Sequence, residues 1–254
     1  GDSTLLNKEP IWKRTLKSLV LKRIYASVDT AFYVGTNNSA YFKKYGLKDH
    51  QLIFAPHAID NTRFSQNTAA IALRNSLGVQ PEDTLILFAG KMTRNKNPML
   101  LLKAFKNIAN PHSHLLFVGD GELSLKLQKQ AKGNPNIHVW PFQNQKMIPM
   151  FYQACDLFCL PSKSESWGLA INEAMACGKA VVVSAQCGAA ADLVNKHTGR
   201  TFKSDDLNDL EQQLSYYLSN PLLLKKAGSY ARRTIADWSF EVQVKNIIQR
   251  LHHA

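Results

Sequence analysis

The chain has 254 residues, of which 45% are apolar, and a formal net charge of +12 at pH 7. This length suits one full α/β domain with a sizeable core plus a smaller unit. The positive charge is compatible with nucleic acid, anionic membranes or phosphorylated ligands. Because no interleaved aromatic signature, zinc finger or basic zipper accompanies the charge, nucleic acid is not an expected partner. No apolar run reaches the roughly 18 residues that a membrane-spanning helix needs.

The first part of the chain gives short helix and strand signals. Residues 10–28 are predicted to form a basic helix, followed by a strand at 30–34, a turn at 35–38, a short helix ending near 46 and an extended segment at 51–55. Apolar residues recur at helical spacing in the first helix; they are Trp12, Leu16, Leu19, Val20 and Ile24. Residues 56–64 contain a proline and no periodicity, which indicates a boundary.

Beyond this boundary the pattern becomes regular. Strands are predicted at 84–89, 114–118, 136–140, 156–160 and 179–184. Helices are predicted between them at 97–109, 122–132, 145–154 and 167–177, and a run of helices follows residue 206. Most of these strands are continuous apolar runs, which suit strands buried on both faces. Their alternation with helices predicts a doubly wound parallel α/β sheet.

Ligands bind such sheets beyond the carboxyl ends of the strands, so the loops that leave the strands are the candidate sites. The loop after the first strand carries Lys91 and Lys96, which could clamp a diphosphate. The alternative is two solvated lysines on a surface loop. After the second strand, Gly119-Asp120-Gly121 forms a tight turn, which is weak evidence by itself.

Glu165 and Glu173 bracket the start of the predicted helix 167–177. The amino end of a helix is an anion site because free N–H groups and the positive end of the dipole lie there. Carboxylates beside it can accept hydrogen bonds from sugar or ribose hydroxyls. The alternative is a helix-capping acid followed by an ordinary exposed glutamate.

Other polar residues are interpreted as structural. The histidine of the boundary, His57, is assigned a packing role, and His112 and His114 are predicted to be surface or strand-edge residues. Asp205 and Asp206 are expected to cap a helix rather than to bind metal. The four cysteines follow no zinc-binding spacing and are predicted to be buried, reduced thiols; they are Cys155, Cys159, Cys177 and Cys187.

Taken together, the loops resemble retaining GT-B glycosyltransferases, family 4 in particular. The segment 161–178 is similar to that family's E-x7-E signature, in which glutamate, Trp-Gly-Leu and Glu-Ala-Met-Ala-x-Gly fall in register. The loop from Gly90 to Lys96 resembles its phosphate-binding loop, although the family commonly has arginine where this chain has Lys91. Residues 117–122 and 186–189 resemble two further turns of the same fold, and the resemblance runs from about Ile24 to the C-terminus.

The resemblance implies a role for each site residue. Lys91 and Lys96 would bind the donor diphosphate and stabilise the leaving nucleotide, and Glu165 would hold the transferred sugar, so these three are the expected catalytic residues. Glu173 would hold the ribose hydroxyls. The remaining donor-binding residues would act through backbone N–H groups, turns or contact with the base; they are Gly90, Gly119, Gly121, Phe142, Trp167, Gly168 and Leu169. No cofactor and no metal ion is expected, and the substrate would be a UDP- or GDP-sugar.

The resemblance also implies a division of the chain. Residues 1–55 would be a remnant of an acceptor-side domain, 56–66 the interdomain linker, 67–236 the Rossmann-like donor domain and 237–254 a C-terminal helix. Because most of the acceptor-side domain is missing, we expect this chain alone to bind donor weakly and to transfer little sugar. A hexose-type sugar would pass to a glycan or a lipid-linked acceptor in polysaccharide biosynthesis.

Two alternatives remain open for the basic helix 10–28, and two for the function. The helix could contact anionic lipid, which would place a cytoplasmic protein at the inner face of the membrane; the favoured alternative is that its apolar face packs on the missing domain.

For the function, one alternative is a non-catalytic sugar-nucleotide-binding module, which would keep the same motifs. A dinucleotide-dependent oxidoreductase would need G-x-G-x-x-G at the first strand exit, and residues 90–93 do not supply it.

Overall fold

A computed structural model describes residues 2–7, 10–65 and 69–252. The helices are α1 Ile11–Tyr25, α2 Thr36–Lys44, α3 Asn61–Ser65, α4 Ala70–Ser76, α5 Pro98–Ile108, α6 Ser124–Ala131, α7 Ile148–Ala154, α8 Leu169–Ala176, α9 Ala190–Leu193, α10 Leu207–Leu218, α11 Pro221–Ile235 and α12 Phe240–His252. The strands are β1 Ala31–Tyr33, β2 Leu52–Phe54, β3 Thr84–Ala89, β4 Ser113–Val118, β5 Ile137–Trp140, β6 Leu157–Leu160, β7 Ala180–Ser184 and β8 Gly199–Phe202.

Six of the strands form one parallel sheet in the order β5-β4-β3-β6-β7-β8. The four central strands are buried at every position, whereas β5 and β8 at the edges are only partly buried. The chain winds from β3 towards β5 in one direction and from β6 towards β8 in the other. The switch point of the sheet therefore lies between β3 and β6, where a crevice for a ligand is expected. The predicted doubly wound parallel sheet is confirmed.

The five predicted strands agree with the structure to within one residue at each end, but β8 was not predicted. Its four residues include Arg200 and Thr201, and an edge strand with polar positions lacks the continuous apolar run of a central strand. The turn predicted at 35–38 is wrong in part, because α2 already begins at Thr36. The Asp192 carboxylate accepts hydrogen bonds from the Thr36 N–H at 3.0 Å and the Thr36 hydroxyl at 2.6 Å. This capping partner is distant in sequence, so a local pattern could not reveal it.

A second, small unit forms from the first part of the chain. Strands β1 and β2 pair in parallel, and a separate apolar cluster packs beside them; its buried members are Tyr41, Phe42, Tyr45, Leu47 and Leu52. The last helix, α12, returns to this unit: the Asn246 amide donates to the carbonyl of Phe54 at 3.0 Å, and Arg250 donates to the hydroxyl of Thr30 at 3.0 Å. The C-terminal helix therefore packs on the small unit.

The apolar residues that predicted helix α1 do not pack within the described chain. Trp12 and Leu19 are 66% and 67% exposed, and Leu16, Val20 and Ile24 are exposed as well. Instead, Leu21 and Tyr25 on the other side of the helix contact the cluster of the small unit. None of the described helices combines the length and the apolar character needed to cross a bilayer.

The cysteines are free thiols, as predicted. Cys155, Cys159 and Cys187 are fully buried, whereas Cys177 is partly accessible. Burial raises the pKa of Cys155 to about 12, so this thiol stays protonated and unreactive at neutral pH.

The prediction that His114 lies at the surface is wrong. His114 is 5% exposed within β4, and its ring stacks on that of His138 in β5 with centroids 5.7 Å apart. Its Nε2 lies 3.4 Å from the buried carboxylate of Asp83. Burial lowers the pKa of His114 despite the opposing effect of Asp83, and burial together with His114 lowers the pKa of His138. His112, in contrast, is mostly exposed.

This histidine pair is expected to make folding sensitive to acid. Because both pKa values are lower in the folded chain, the unfolded chain binds protons first, and stability falls as the pH drops below about 6.5. His138→Phe keeps a ring against His114 and removes one titrating group, so its melting temperature should fall less than that of the unaltered chain between pH 7 and pH 5. The exposed His50 provides the control variant, His50→Asn. Equal slopes for all three proteins would refute the assignment.

Candidate functional site at the carboxyl edge of the sheet

The loops that leave β3 and β6 meet at the switch point of the sheet. Asn95 joins them twice: its carbonyl accepts a hydrogen bond from the Lys163 N–H at 2.7 Å, and its side-chain amide donates to the Ser164 carbonyl at 2.8 Å. The loop after β8 adds a third connection, since Asp205 pairs with Lys163 at 2.7 Å and accepts from the Asn97 amide at 3.0 Å. Three strand exits are thus held together at the carboxyl edge of the sheet.

Lys96 and Glu165 form an ion pair in the centre of this junction. Their side chains are 24% and 17% exposed, so the pair is largely withdrawn from solvent. The Ser162 hydroxyl lies 3.5 Å from the same carboxylate oxygen. The interpretation of Glu165 as a helix-capping acid is therefore wrong, and so is the interpretation of Lys96 as a solvated lysine. A cation and a carboxylate are presented side by side at the switch point.

The loop after β4 approaches the loop after β3 through its glycines. A Cβ atom on Gly119 would lie 2.0 Å from the Gly90 carbonyl oxygen, and one on Gly121 would lie 2.7 Å from the Met92 carbonyl oxygen. Both glycines also have positive φ angles, of 146° and 152°. The turn 119–121 is thus glycine-rich because backbone passes against backbone, which only glycine permits. The β3 loop, with Lys91 and Lys96, is supported from this side.

The loop after β7 closes the other side of the junction. The Glu165 N–H donates to the Gln186 carbonyl at 3.0 Å, and the Gly188 N–H donates to the Glu165 carbonyl at 3.0 Å. A Cβ atom on Gly188 would lie 1.9 Å from the Ser166 carbonyl oxygen. The backbone of Glu165 is therefore fixed by two hydrogen bonds and by a close approach.

Helix α8 begins at Leu169, two residues later than predicted, because Gly168 adopts a left-handed conformation with φ 100°. Trp167 turns inwards and is 3% exposed, and its indole N–H donates to the Asn172 side chain at 3.0 Å. The Asn172 amide donates in turn to the His57 carbonyl at 2.8 Å. The amino end of α8 is therefore anchored to the segment that contains His57 and begins close to Glu165 in the chain.

Glu173 lies in the second turn of α8 and is mostly buried, so its interpretation as an exposed glutamate is wrong. Its carboxylate accepts a hydrogen bond from the Tyr152 hydroxyl of α7 at 2.7 Å. Burial raises the pKa of Glu173, and the Tyr152 hydrogen bond and the charge of Arg63 oppose this rise. Glu173 has its own partners and makes no described contact with Lys96 or Glu165.

Lys91 and Phe142 are accessible at the same edge. Lys91 is exposed, and it forms no ion pair with any residue that the structure describes. Phe142, in the loop after β5, is 71% exposed. An unpaired cation and an accessible aromatic ring are therefore available to a ligand that reaches along the edge.

Three residues of this site escaped the sequence analysis. Asn95 joins the exit loops, while Tyr152 and Arg63 lie beside Glu173. Asn95 belongs to a loop that the sequence singled out, whereas Tyr152 and Arg63 act across distances in sequence that no local pattern reports. The prediction that Asp205 caps a helix is wrong, because its carboxylate pairs with Lys163 and accepts from Asn97 instead. His57 keeps its predicted packing role, because its ring lies 5.8 Å from that of Trp167, and Asp206 caps α10 as predicted by accepting from the Asp209 N–H.

The chemistry of this edge suits a ligand with negative charge and hydroxyl groups. Lys91, Lys96 and the amino end of α8 favour an anion, whereas the carboxylates of Glu165 and Glu173 favour hydroxyl donors. Among the residues that the structure describes, no three His, Cys, Asp or Glu side chains are grouped to hold a metal ion.

Known proteins share this fold. HepE from Anabaena, solved in complex with UDP, superposes with a TM-score of 0.84 at 18% identity and covers 99% of this chain and 71% of HepE. The C-terminal domain of the group 1 glycosyl transferase LpcC from Francisella tularensis superposes with a TM-score of 0.62 at 18% identity, covering 72% of this chain and 100% of that domain. Identities this low show the fold alone.

Sequence relatives and a family profile indicate the family as well as the fold. The D-inositol 3-phosphate glycosyltransferase of Segniliparus rotundus is 26% identical over 80% of this chain, and the sulfoquinovosyl transferase SQD2 of Arabidopsis thaliana is 29% identical over 70% of it. The chain spans 47% and 35% of the lengths of these two relatives. Residues 70–234 match the profile of the glycosyl transferases group 1, and the chain therefore belongs to this family of GT-B glycosyltransferases.

Proposed function

We propose that the chain is the donor-binding part of a retaining, family 4 glycosyltransferase that transfers a hexose-type sugar from a UDP- or GDP-sugar. The single observation that carries the proposal is the Lys96–Glu165 pair, which lies at the switch point beside the amino end of α8. A diphosphate and the sugar attached to it need a cation and a hydroxyl acceptor side by side. This pair offers both at one place.

In this proposal the lysines act on the leaving group. Negative charge builds on the nucleoside diphosphate as its bond to the sugar breaks, and positioned cations stabilise that charge. Lys96 is held in place by Glu165, and the exposed Lys91 adds a second cation. Because lysine is a compact point charge, Lys91 would lack the bidentate grip of an arginine at this position.

The two glutamates hold the ends of the donor. Glu165 binds hydroxyls of the transferred sugar, and Glu173 binds the ribose hydroxyls from its position between α7 and α8. Nothing lies within 4 Å of a Cβ atom added to Gly90, which leaves room for the donor to approach the main chain there. The base extends towards Phe142. HepE, which shares this fold, was solved with UDP, and this supports a nucleotide as the ligand.

The acceptor side of the enzyme is also a proposal. The acceptor would be a glycan or a lipid-linked sugar of polysaccharide biosynthesis, held by a further domain against the outer face of α1. This face is apolar and exposed at Trp12, Leu16 and Leu19. The lysines and arginines of α1 also suit anionic lipid headgroups. Through this helix a cytoplasmic enzyme could contact the inner face of a membrane.

The proposal is tested by calorimetric titration of the chain with UDP, GDP and ADP and with their hexose conjugates. One nucleoside diphosphate is expected to bind in preference, and Glu173→Gln is expected to weaken it, whereas Glu211→Gln on the exposed side of α10 should have no effect. Failure of every nucleotide to bind would refute the proposal.

A second experiment separates an enzyme from a non-catalytic sugar-nucleotide-binding module. It measures the effect of Glu165→Ala in a chain that includes its acceptor domain. A non-catalytic module would lose affinity for the donor at most, whereas an enzyme would lose turnover.

The raised pKa of Glu173 gives a further expectation. Ribose hydroxyls donate to the ionised carboxylate, so donor binding favours the deprotonated form. The affinity for UDP-glucose should therefore increase as the pH rises through the pKa of Glu173 and should be constant above it. Glu173→Gln should bind more weakly and should lose this pH dependence. Titrations of both proteins between pH 5 and pH 8 check this, and parallel curves would count against the ribose assignment.

A further inference from the structure

The segment that precedes α1 contacts the loop after β6 next to Glu165, the residue that we propose binds the transferred sugar. The Asp2 carboxylate accepts a hydrogen bond from the Ser166 hydroxyl at 3.0 Å and lies 3.6 Å from Nε2 of His57. The next residue, Ser3, accepts from the Asn38 amide at 2.9 Å. The segment is thus connected both to the small unit and to the loop after β6. The sequence analysis gave Asp2 no role.

The position of Asp2 follows from that of Ser166, which comes directly after Glu165 in the chain. The Ser166 backbone is held by its close approach to Gly188. His57, the second neighbour of Asp2, lies against the ring of Trp167. The Asp2 carboxylate therefore lies on the loop that carries the proposed sugar-binding glutamate, on the side that faces the small unit.

The carboxylates of Glu165 and Asp2 differ in the charged neighbours that the structure describes for them. Glu165 is neutralised by Lys96. The charged neighbour described for Asp2 is His57, which carries charge only when it is protonated. Partial burial raises the pKa of Asp2, but hydrogen bonds from Ser166, from its own backbone and from His57 outweigh this, and the net effect is a lowered pKa. The side chain is 44% exposed, so its charge is accessible beside the loop that carries Glu165.

We propose that Asp2, held by Ser166 and His57, determines the charge preference of the donor sugar, so that the site favours a neutral hydroxylated hexose over a hexuronate. The inference rests on the proposed function, because it assumes that Glu165 binds the transferred sugar. A carboxylate near sugar hydroxyls can accept a hydrogen bond from them. The same carboxylate repels a sugar that carries its own negative charge.

The test compares paired donors that differ only at C6 of the sugar, which is a neutral hydroxymethyl group in one and a carboxylate in the other. Affinities for UDP, UDP-glucose and UDP-glucuronate are measured by calorimetry, with GDP-mannose and GDP-mannuronate used if the chain prefers guanosine. Asp2→Asn should reduce the preference for the neutral hexose by a factor of about 5 to 10, as expected for one like charge removed at close range. Its affinity for the free diphosphate should stay unchanged. Asp29→Asn, an exposed acid in the small unit with the same change in net charge, should leave the preference as it is.

The outcomes separate this inference from the proposed function. If the chain binds the diphosphate and Asp2→Asn leaves the sugar preference unchanged, the inference is overturned while the donor site stands. An equal effect of Asp29→Asn would also overturn it, because net charge would then explain the result. If neither UDP nor GDP binds the unaltered chain, the proposed function itself fails. Ser166→Ala, which removes the hydroxyl that holds Asp2, should reproduce part of the Asp2→Asn effect.

Discussion

Replacing Lys96 by methionine is expected to weaken binding of the nucleoside diphosphate by roughly 100-fold or more, because a largely desolvated cation of the site is lost. The same change leaves Glu165 in the junction, 17% exposed and without its cation. Removing one partner of a buried ion pair costs up to about 3–5 kcal/mol. Since this pair retains some solvent contact, we expect a loss of about 1–2 kcal/mol, visible as a lower melting temperature.

A double variant separates the two effects of Lys96. Lys96→Met combined with Glu165→Gln no longer leaves a charge unpaired, so its melting temperature should return towards that of the unaltered chain, while its affinity for the diphosphate stays low. Lys91→Met should weaken binding without lowering the melting temperature, because Lys91 is exposed. If Lys96→Met binds the diphosphate normally, Lys96 has no part in the site.

Replacing Gly188 by alanine is expected to disrupt the site by displacing the loop after β6. The added Cβ would lie 1.9 Å from the Ser166 carbonyl oxygen and 3.2 Å from the Cα of Trp167. Backbone atoms cannot move aside as a flexible side chain can, so the loop after β6 must shift. Overpacking of this kind costs about 2–3 kcal/mol. The shift would also move Glu165, whose carbonyl accepts the Gly188 N–H, and the diphosphate affinity should fall together with stability.

Gly133→Ala provides the control for this variant. Gly133 has a φ of 86°, but nothing lies within 4 Å of its added Cβ. Alanine there carries only the backbone strain of a left-handed residue, about 1–2 kcal/mol, and should leave diphosphate affinity unchanged. Melting temperatures and calorimetric affinities of the two variants check the comparison. Equal affinities for Gly188→Ala and the unaltered chain would mean that the β7 loop does not position Glu165.

The large sheet was predictable because its signal is local. Continuous apolar runs such as Leu85 to Phe88 have one favourable outcome, which is burial on both faces of a sheet. Parallel strands then bring all exit loops to one edge, so the loops with Lys96 and Glu165 meet although 68 residues separate the two side chains in the sequence. The topology of the fold, rather than any local contact, made this part of the site predictable from the sequence.

The remaining features depend on contacts between distant residues. The Tyr152–Glu173 hydrogen bond, the Asp192 cap of α2 and the Asp2–Ser166 contact each join elements that no periodicity connects. Burial of His114 likewise depends on Asp83 and His138, which lie on neighbouring segments only after folding. Glu173 and His114 were singled out from the sequence, but no local pattern indicates the partners that they have in the folded chain.

The proposed binding mode is tested by a crystal structure of the chain with the nucleoside diphosphate that binds it best. We expect the diphosphate beside Lys91 and Lys96 at the amino end of α8, with the ribose on Glu173 and the base towards Phe142. A nucleotide bound at the opposite edge of the sheet, with the Lys96–Glu165 pair untouched, would contradict it.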